Sequence, residues 1–251
     1  MLTNTRKQYI LDVLKRDGEV IAKTVSQELG LSEDTIRRDL RELAQEGLLQ
    51  RVHGGALPAS PAVVDFAGRE GISTDAKVAI GRAAAGMIKE GQVVILDGGT
   101  TAIQVARHLP RTLQATIVTH SPNIAMELID YPNIEVILIG GRLFKHSIVS
   151  VGAAAIEAIS HVRADLYFMG VTGIHAEAGL STGDLEEAYV KQALCKQAAE
   201  TFVLASREKI GAASPYIVTA LANISGMIVD DSTPDEVLTP FVAQGLSVIR
   251  G

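Results

Sequence analysis

The first fifty-odd residues alternate short helix-spaced apolar stretches with tight polar turns. Ile10, Val13 and Leu14 share one face of a helix expected over residues 4–16, with Asn4 or Thr5 as its cap. Ile21, Val25 and Leu29 fall at i, i+4 and i+8, which predicts a second, shorter helix closed by Gly30-Leu31. Ile36, Leu40 and Leu43, at i, i+4 and i+7, form the buried stripe of a third. Ser32 can cap that helix by accepting from an orphan backbone N–H, and Glu33 and Asp34 suit the positive end of its dipole. Its outer arc carries Arg37, Arg38 and Arg41, with Thr35 beside them. Gly47 can end it, and Leu48–Val52 followed by His53-Gly54-Gly55 predicts a small hairpin or wing with a basic tip at Arg51 and His53. Helix, glycine turn, helix is the arrangement that lays a second helix in the major groove, with a wing beside the phosphate backbone.

After the wing, Pro58-Ala59-Ser60-Pro61-Ala62 is a short stiffened linker, because each proline fixes its own φ and extends the residue before it. Residues 63–73 show no clear period and are read as a connecting segment. From Thr74 helix and strand patterns alternate. A helix over 75–89 leads to the strand Val93–Leu96, and Asp97-Gly98-Gly99-Thr100-Thr101 opens a helix ending near Leu109. Strand-like runs recur at 116–118, 136–139, 166–169, 202–205, 227–229 and 246–249, with helix-patterned segments at 122–129, 153–160, 185–201 and 234–243. Short β-branched runs alternating with helices predict a mostly parallel sheet covered on both faces, a Rossmann-like α/β domain. The expected division is a winged helix-turn-helix over 1–57, a linker over 58–74 and an α/β domain over 75–251.

A chain of 251 residues, 47% hydrophobic and 4% aromatic, is long enough for such a pair of domains. No apolar run reaches the length needed to cross a bilayer, and the N-terminus lacks the apolar core of a secretory signal, so a soluble cytoplasmic protein with no membrane partner is expected. The single Cys195 excludes an internal disulfide and a zinc finger. Net charge is −6, all of it beyond residue 57, because residues 1–57 hold nine basic and nine acidic side chains. A neutral reading domain must hold DNA by placing its charges on one face and by doubling itself, which points to a homodimer or larger homo-oligomer.

Ligands of open α/β sheets bind beyond the carboxyl ends of strands, so the post-strand loops are the candidates. In Asp97-Gly98-Gly99-Thr100-Thr101 two glycines let backbone N–H groups face an anion, the threonine hydroxyls add donors, and a helix start follows: either a phosphate cradle or an ordinary tight turn. Thr119-His120-Ser121, Gly140-Gly141-Arg142, Gly170–Gly173 and Gly179–Asp184 point to the same edge. Glu187 and Lys191 lie four apart on one helix face, a spacing that by itself reads as a surface ion pair, and Lys209 follows another strand. The six histidines show no paired-ligand spacing, so no metal and no cofactor is expected; His53 is read as a phosphate contact in the wing.

The run Thr35-Ile36-Arg37-Arg38-Asp39-Leu40 after Ser32, with Arg6, Ile10 and Leu14 before it and Arg51-Val52-His53-Gly54-Gly55-Ala56 behind, resembles the DNA-binding domain of the DeoR family of bacterial transcriptional regulators. That resemblance implies DNA contacts from Ser32, Thr35, Arg37, Arg38, Arg41, Arg51, His53 and Gly54. Lys77 with Ile80, Asp97-x-Gly99-Thr100-Thr101, Thr119-x-Ser121, Gly140-Gly141, Gly152, Gly179, Asp184-x-x-Glu187-x-x-x-Lys191 and Lys209-x-Gly211 are similar to the family's C-terminal sensor domain, whose fold resembles ribose-5-phosphate isomerase. It implies an effector site at Asp97, Gly98, Gly99, Thr100, Thr101, Thr119, His120, Ser121, Gly140, Gly141, Asp184, Glu187, Lys191 and Lys209, with the phosphate at 97–101 and the sugar near the later residues. Three positions depart from the family pattern. His120 stands for the common Asn, Phe144 for an Arg after the Gly-Gly pair, and Ser206-Arg207-Glu208 for Asp-x-Ser, which leaves open a bulkier or less phosphorylated ligand.

Two functions follow as expectations. One is a repressor of a carbohydrate operon, its partners double-stranded operator DNA and a phosphorylated sugar. The other is a sugar-phosphate isomerase carrying a DNA-binding domain, with Glu187 and Lys191 as base and donor. The second is disfavoured, because the loop Met169–Gly173 contains no acid, and no catalytic residue is assigned.

Overall fold

The computed structural model of the protein describes residues 2–251. The chain opens with α1 (Thr3–Asp17), β1 (Val20–Ile21), α2 (Ala22–Leu29), α3 (Glu33–Gln45), β2 (Leu49–Val52) and β3 (Gly55–Pro58). The expected apolar stripes meet: Ile10, Val13, Leu14, Val25, Ile36, Leu40 and Leu43 bury against one another in a core of their own. Arg6 and Asp39 tie α1 to α3 across that core in a buried two-pronged pair, Arg6 Nη2 donating to Asp39 Oδ1 at 2.9 Å and Nε to Oδ2. A left-handed Gly30 (φ 64°) makes the turn, and Ser32 then caps α3 by accepting from Thr35 N at 3.3 Å.

Two local expectations are corrected. Helix α1 starts at Thr3, two residues sooner than a cap at Asn4 allows and three sooner than one at Thr5, with Leu2 at its extended N-cap and no side-chain cap bond, so Asn4 and Thr5 lie inside the first turn. Val20-Ile21 does not begin α2; it pairs antiparallel with β3, Val20 opposite Ala56, and Ile21 is half exposed. Adjacent β-branched residues favour an extended backbone, and the third strand turns a marginal hairpin into a three-stranded wing of order β1-β3-β2.

The connector is held down rather than slack. Ala213 N donates to Pro58 O at 3.0 Å, Ala59 bridges Ala213, and the buried Ser60 Oγ donates to the carbonyl of Thr172. A short 3-10 turn, Pro61–Val63, precedes α4 (Phe66–Glu70), five residues in a stretch where the sequence shows no period.

Next come α5 (Thr74–Met87), β4 (Val93–Leu96), α6 (Thr100–Arg107), β5 (Ala115–Thr119), α7 (Pro122–Glu127) and β6 (Ile134–Leu138). A hairpin of β7 (Arg142–Phe144) and β8 (Val149–Val151) leads to α8 (Ala153–Ser160) and β9 (Ala164–Gly170). The rest comprises β10 (Gly173–His175), β11 (Gly179–Thr182), α9 (Leu185–Gln197), β12 (Ala198–Leu204), β13 (Tyr216–Thr219), β14 (Gly226–Val229), α10 (Asp235–Val242) and β15 (Ser247–Arg250). Helix α9 stops at Gln197, short of the expected 201, because Ala198 already pairs with Ala164 in the ladder of β12 on β9.

Seven strands make a wholly parallel sheet of order β15-β14-β12-β9-β4-β5-β6. Alternate residues serve opposite faces: Val94 and Leu96 pack on the side of α5, α6 and α7, and Ile95 on the side of α8, α9 and α10. Strand order reverses between β4 and β9, the place where crevices open in such sheets. No helix among the described residues is long and apolar enough to cross a membrane.

Candidate functional site

The outer face of α3 and the wing present one surface. Ser32, Arg37, Arg38, Arg41, Arg51, His53 and Gly54 are exposed and Thr35 half-buried. The arginines are not equivalent. Arg37 Nη2 lies 2.6 Å from Glu33 Oε2 and its Nη1 3.6 Å from Asp34, whereas Arg38, Arg41 and Arg51 have no ion pair among the described residues. Three guanidinium groups are therefore free to meet phosphate or a guanine edge.

The second site lies at the strand-order reversal. Gly98-Gly99 leaves the end of β4 and Gly170-Val171-Thr172 the end of β9, and both line one small pocket. Gly99 takes φ 111°, a conformation side-chain-bearing residues rarely adopt, and a Cβ at Gly98 would fall 2.2 Å from Val149 Cγ1. This turn feeds α6, whose first N–H groups have no intrahelical partner and no side-chain cap; Gly98 through Ala102 line the pocket.

Around these donors stand Arg69, Lys77 and Lys209, and none has a carboxylate within ion-pair distance among the described residues. Lys77 Nζ donates to the carbonyl of Arg69, and Lys209 Nζ to that of Leu204 at 3.3 Å. Burial pushes Lys209 down to about 8; Glu208 opposes the shift, and the cations of Lys77, Arg69 and Lys191 add to it. Burial likewise lowers Lys77 and Arg69. Glu208 lies nearby, but its carboxylate accepts from Ser73 Oγ at 2.7 Å and Ser206 Oγ at 2.6 Å.

Asp97 is not a pocket wall. It is fully buried beneath the loop, where its oxygens accept from Lys191 Nζ (2.6 Å), His120 Nε2 (2.7 Å), Tyr167 Oη (3.0 Å), Gly170 N (2.8 Å) and Gly98 N (2.8 Å). Holding both Gly98 and Gly170, it positions the two loops that make the cradle. Burial works against its charge, but Lys191 and His120 outweigh burial and hold the carboxyl well below the usual range. Burial also opposes the charge of Lys191, yet Asp97 and Glu187 raise it. Tyr167 is pushed well up, by burial first and then by Asp97.

Of the residues expected at the effector site, Gly98, Gly99, Thr100, Thr101, Glu187, Lys191 and Lys209 line the pocket. His120, wedged between Asp97 and the carbonyl of Ser150 at 3.0 Å, lies under it. Thr119 Oγ1 accepts from Ser121 N at 3.1 Å, and Ser121 Oγ donates to Ile148 O at 3.3 Å, both supporting the floor. Asp184 caps α9 by accepting from Glu187 N at 2.9 Å and lines a neighbouring cavity. Gly140 and Gly141 do not line the pocket but sit exposed at the sheet edge, where a Cβ on Gly141 would come 2.8 Å from Val151 O; the pair serves the close approach of β7 and β8. Sequence reasoning left out Arg69, placed the loops of Thr172 and Thr182 at this edge without giving their hydroxyls a role, and gave Lys77 none. Lys77 did leave a signal, since it shares the buried face of α5 with Ile80, Gly81 and Ala84.

A family model described as DeoR-like helix-turn-helix domain matches residues 6–61, and one described as DeoR C terminal sensor domain matches residues 72–231. The HTH-type transcriptional regulator GlpR of Haloferax volcanii is 34% identical over 253 residues, covering 100% of this chain and 99% of the relative. The glycerol-3-phosphate regulon repressor of Escherichia coli is 29% identical over 239 residues, 95% of each chain. A solved ribose 5-phosphate isomerase A from Methanocaldococcus jannaschii has a TM-score of 0.40 and 19% identity over 54% of this chain and 53% of that one, too distant to bear on activity. The full-length relatives carry the names of regulators, not of isomerases. With a reading domain and a sensor domain matched in order along it, the chain belongs to the DeoR family of transcriptional regulators.

Proposed function

We propose that the protein is a repressor of a carbohydrate uptake or breakdown operon, and that a phosphorylated sugar or polyol held at the strand-order reversal weakens its grip on operator DNA. The observation that carries this is the set of three cations without carboxylate partners, Arg69, Lys77 and Lys209, facing the uncapped start of α6. Uncompensated positive charge in a half-closed pocket favours an anion, and several N–H donors with three cations suit a phosphate dianion. One relative is named for glycerol-3-phosphate, a ligand of that chemistry.

On the DNA side, Arg38, Arg41, Arg51, His53 and Gly54 with Ser32 and Thr35 form the reading surface, and two copies in a homodimer or larger assembly would place two such surfaces on neighbouring half-sites. Each copy offers only a few unpaired arginines to phosphate, so pairing two copies multiplies the counterion release that supplies affinity. Replacing Gly99 with Val tests the assignment. Its positive φ and its place at the cradle should make the variant blind to sugar phosphates in a gel-shift titration while operator binding persists. A normal effector response from that variant would put the site elsewhere.

A further inference from the structure

The pocket at Gly98–Thr101 is small, about 40 Å³, while one water-sized sphere takes roughly 10–15 Å³. It is the tighter of two neighbouring spaces. Beside it a second cavity of about 290 Å³ opens between the sensor sheet and the reading domain. Arg69, Ser147, Thr172, Thr182 and Glu187 belong to the walls of both. The far wall comes from the reading domain: Ala44 and Gly47 at the end of α3, Leu49 and Gln50 in β2.

Two groups on the shared wall lack partners. The Thr182 hydroxyl, on a residue 1% exposed, is the one buried side-chain polar atom among the described residues without a hydrogen bond. The Arg69 guanidinium makes neither an ion pair nor a side-chain hydrogen bond among them. Buried polar groups are ordinarily satisfied, so an orphan hydroxyl on a residue common to both walls marks where a ligand's polar atom belongs.

We propose that the effector spans both spaces. Its phosphate sits in the small pocket, a hydroxyl bonds Thr182, and its remaining carbons and hydroxyls fill the interdomain cavity against Gly47, Leu49 and Gln50. The inference rests on the phosphate assignment above and adds how occupancy reaches the DNA: the reading domain touches the ligand directly. A ligand shifts an equilibrium only when it binds the two arrangements unequally, and contacts to both domains at once exist in only one relative placement of them. A ligand confined to the small pocket makes none of these contacts with the reading domain.

The test uses the full-length protein and DNA from upstream of its own gene. Inorganic phosphate and a series of triose to hexose phosphates are titrated by calorimetry, with amide hydrogen exchange followed at residues 44–50 and operator affinity measured alongside. Both ligand types should bind, but only sugar phosphates should protect 44–50 and change operator affinity, by about tenfold or more. Thr182→Val should weaken sugar phosphates more than inorganic phosphate. Gln50→Trp, which fills the cavity from the reading-domain side, should remove the sugar-phosphate response. Equal protection by inorganic phosphate, or equal weakening of both ligands in Thr182→Val, overturns the spanning ligand and leaves the phosphate pocket standing. Failure of either ligand to bind the wild-type chain overturns the pocket itself and this proposal with it.

Discussion

Lys191 and Lys209 are both buried at one end of the same sheet and have opposite tasks. Lys191 is spent on Asp97, so Lys191→Met should leave a buried carboxylate without its cation and cost about 3–5 kcal/mol in urea denaturation. The depressed Asp97 also makes the wild type sensitive to acid: the stability it contributes is complete above the unfolded carboxylate value of about 4 and is lost as pH falls toward the folded one. Lys209 is uncompensated. With its folded pKa at about 8, below the unfolded lysine value of about 10.4, the unfolded chain binds more protons between the two, so this lysine makes the unliganded protein gain stability as pH rises through that window. Ligand affinity goes the other way. A phosphate ester is a dianion above about pH 6, so calorimetric affinity should peak between about 6 and 8 and fall beyond, as Lys209 loses its proton. The pattern of Asp97–Thr101 left a cradle and a tight turn equally open, and the family resemblance favoured the cradle. That its first residue turns under the sheet was not legible, because its partners Lys191 and Tyr167 are 94 and 70 residues away. Arg69 was invisible for a different reason: a five-residue helix carries no period to place it.

Among the elements, those with long periods were read correctly and those made by long-range pairing were not. The three helices of the reading domain and all seven strands of the main sheet follow from apolar spacing, most of them burying a stripe or face, although β6 and β15 at the sheet edges stay largely uncovered. The short antiparallel strands β1, β7, β8, β10, β11 and β13 have two to four residues each and exist because a partner strand lies alongside. The same difference between local pattern and spatial partner separates the arginines of α3. Pattern puts Arg37, Arg38 and Arg41 on one arc, but Arg37 is engaged by Glu33 and Asp34 within its own helix. Arg38→Ala should therefore weaken operator binding by about 1–3 kcal/mol, and Arg37→Ala by less. Gel-shift titrations at two salt concentrations would show it. A uniform loss on all sequences with a shallower salt slope would assign Arg38 to phosphate, a loss on the operator alone to a base edge.

For the molecule as a whole the decisive feature is that its two cores meet through a bound connector. A reading domain of about sixty residues buries too little surface to be more than marginally stable by itself, so its attachment matters. That attachment runs through Pro58, Ala59 and Ser60, and Ser60 does double duty: it donates to the carbonyl of Thr172 on the pocket wall and accepts from Ala62 N at 3.1 Å. Ser60→Ala should leave those two buried groups unpaired, weakening the junction by about 1–3 kcal/mol, the size of a typical allosteric coupling. Ligand at a hundred times its Kd should stabilise the sensor by about 2.7 kcal/mol in either protein. In the wild type, where the junction holds, hydrogen exchange in α3 should slow together with that in α6 when sugar phosphate is added. In Ser60→Ala α6 should respond as before, while α3, left with the ligand's own contacts at residues 44–50, should respond less and operator affinity should lose part of its dependence on the ligand. Matching protection of α3 in both proteins would mean that Ser60 carries none of the coupling between the domains.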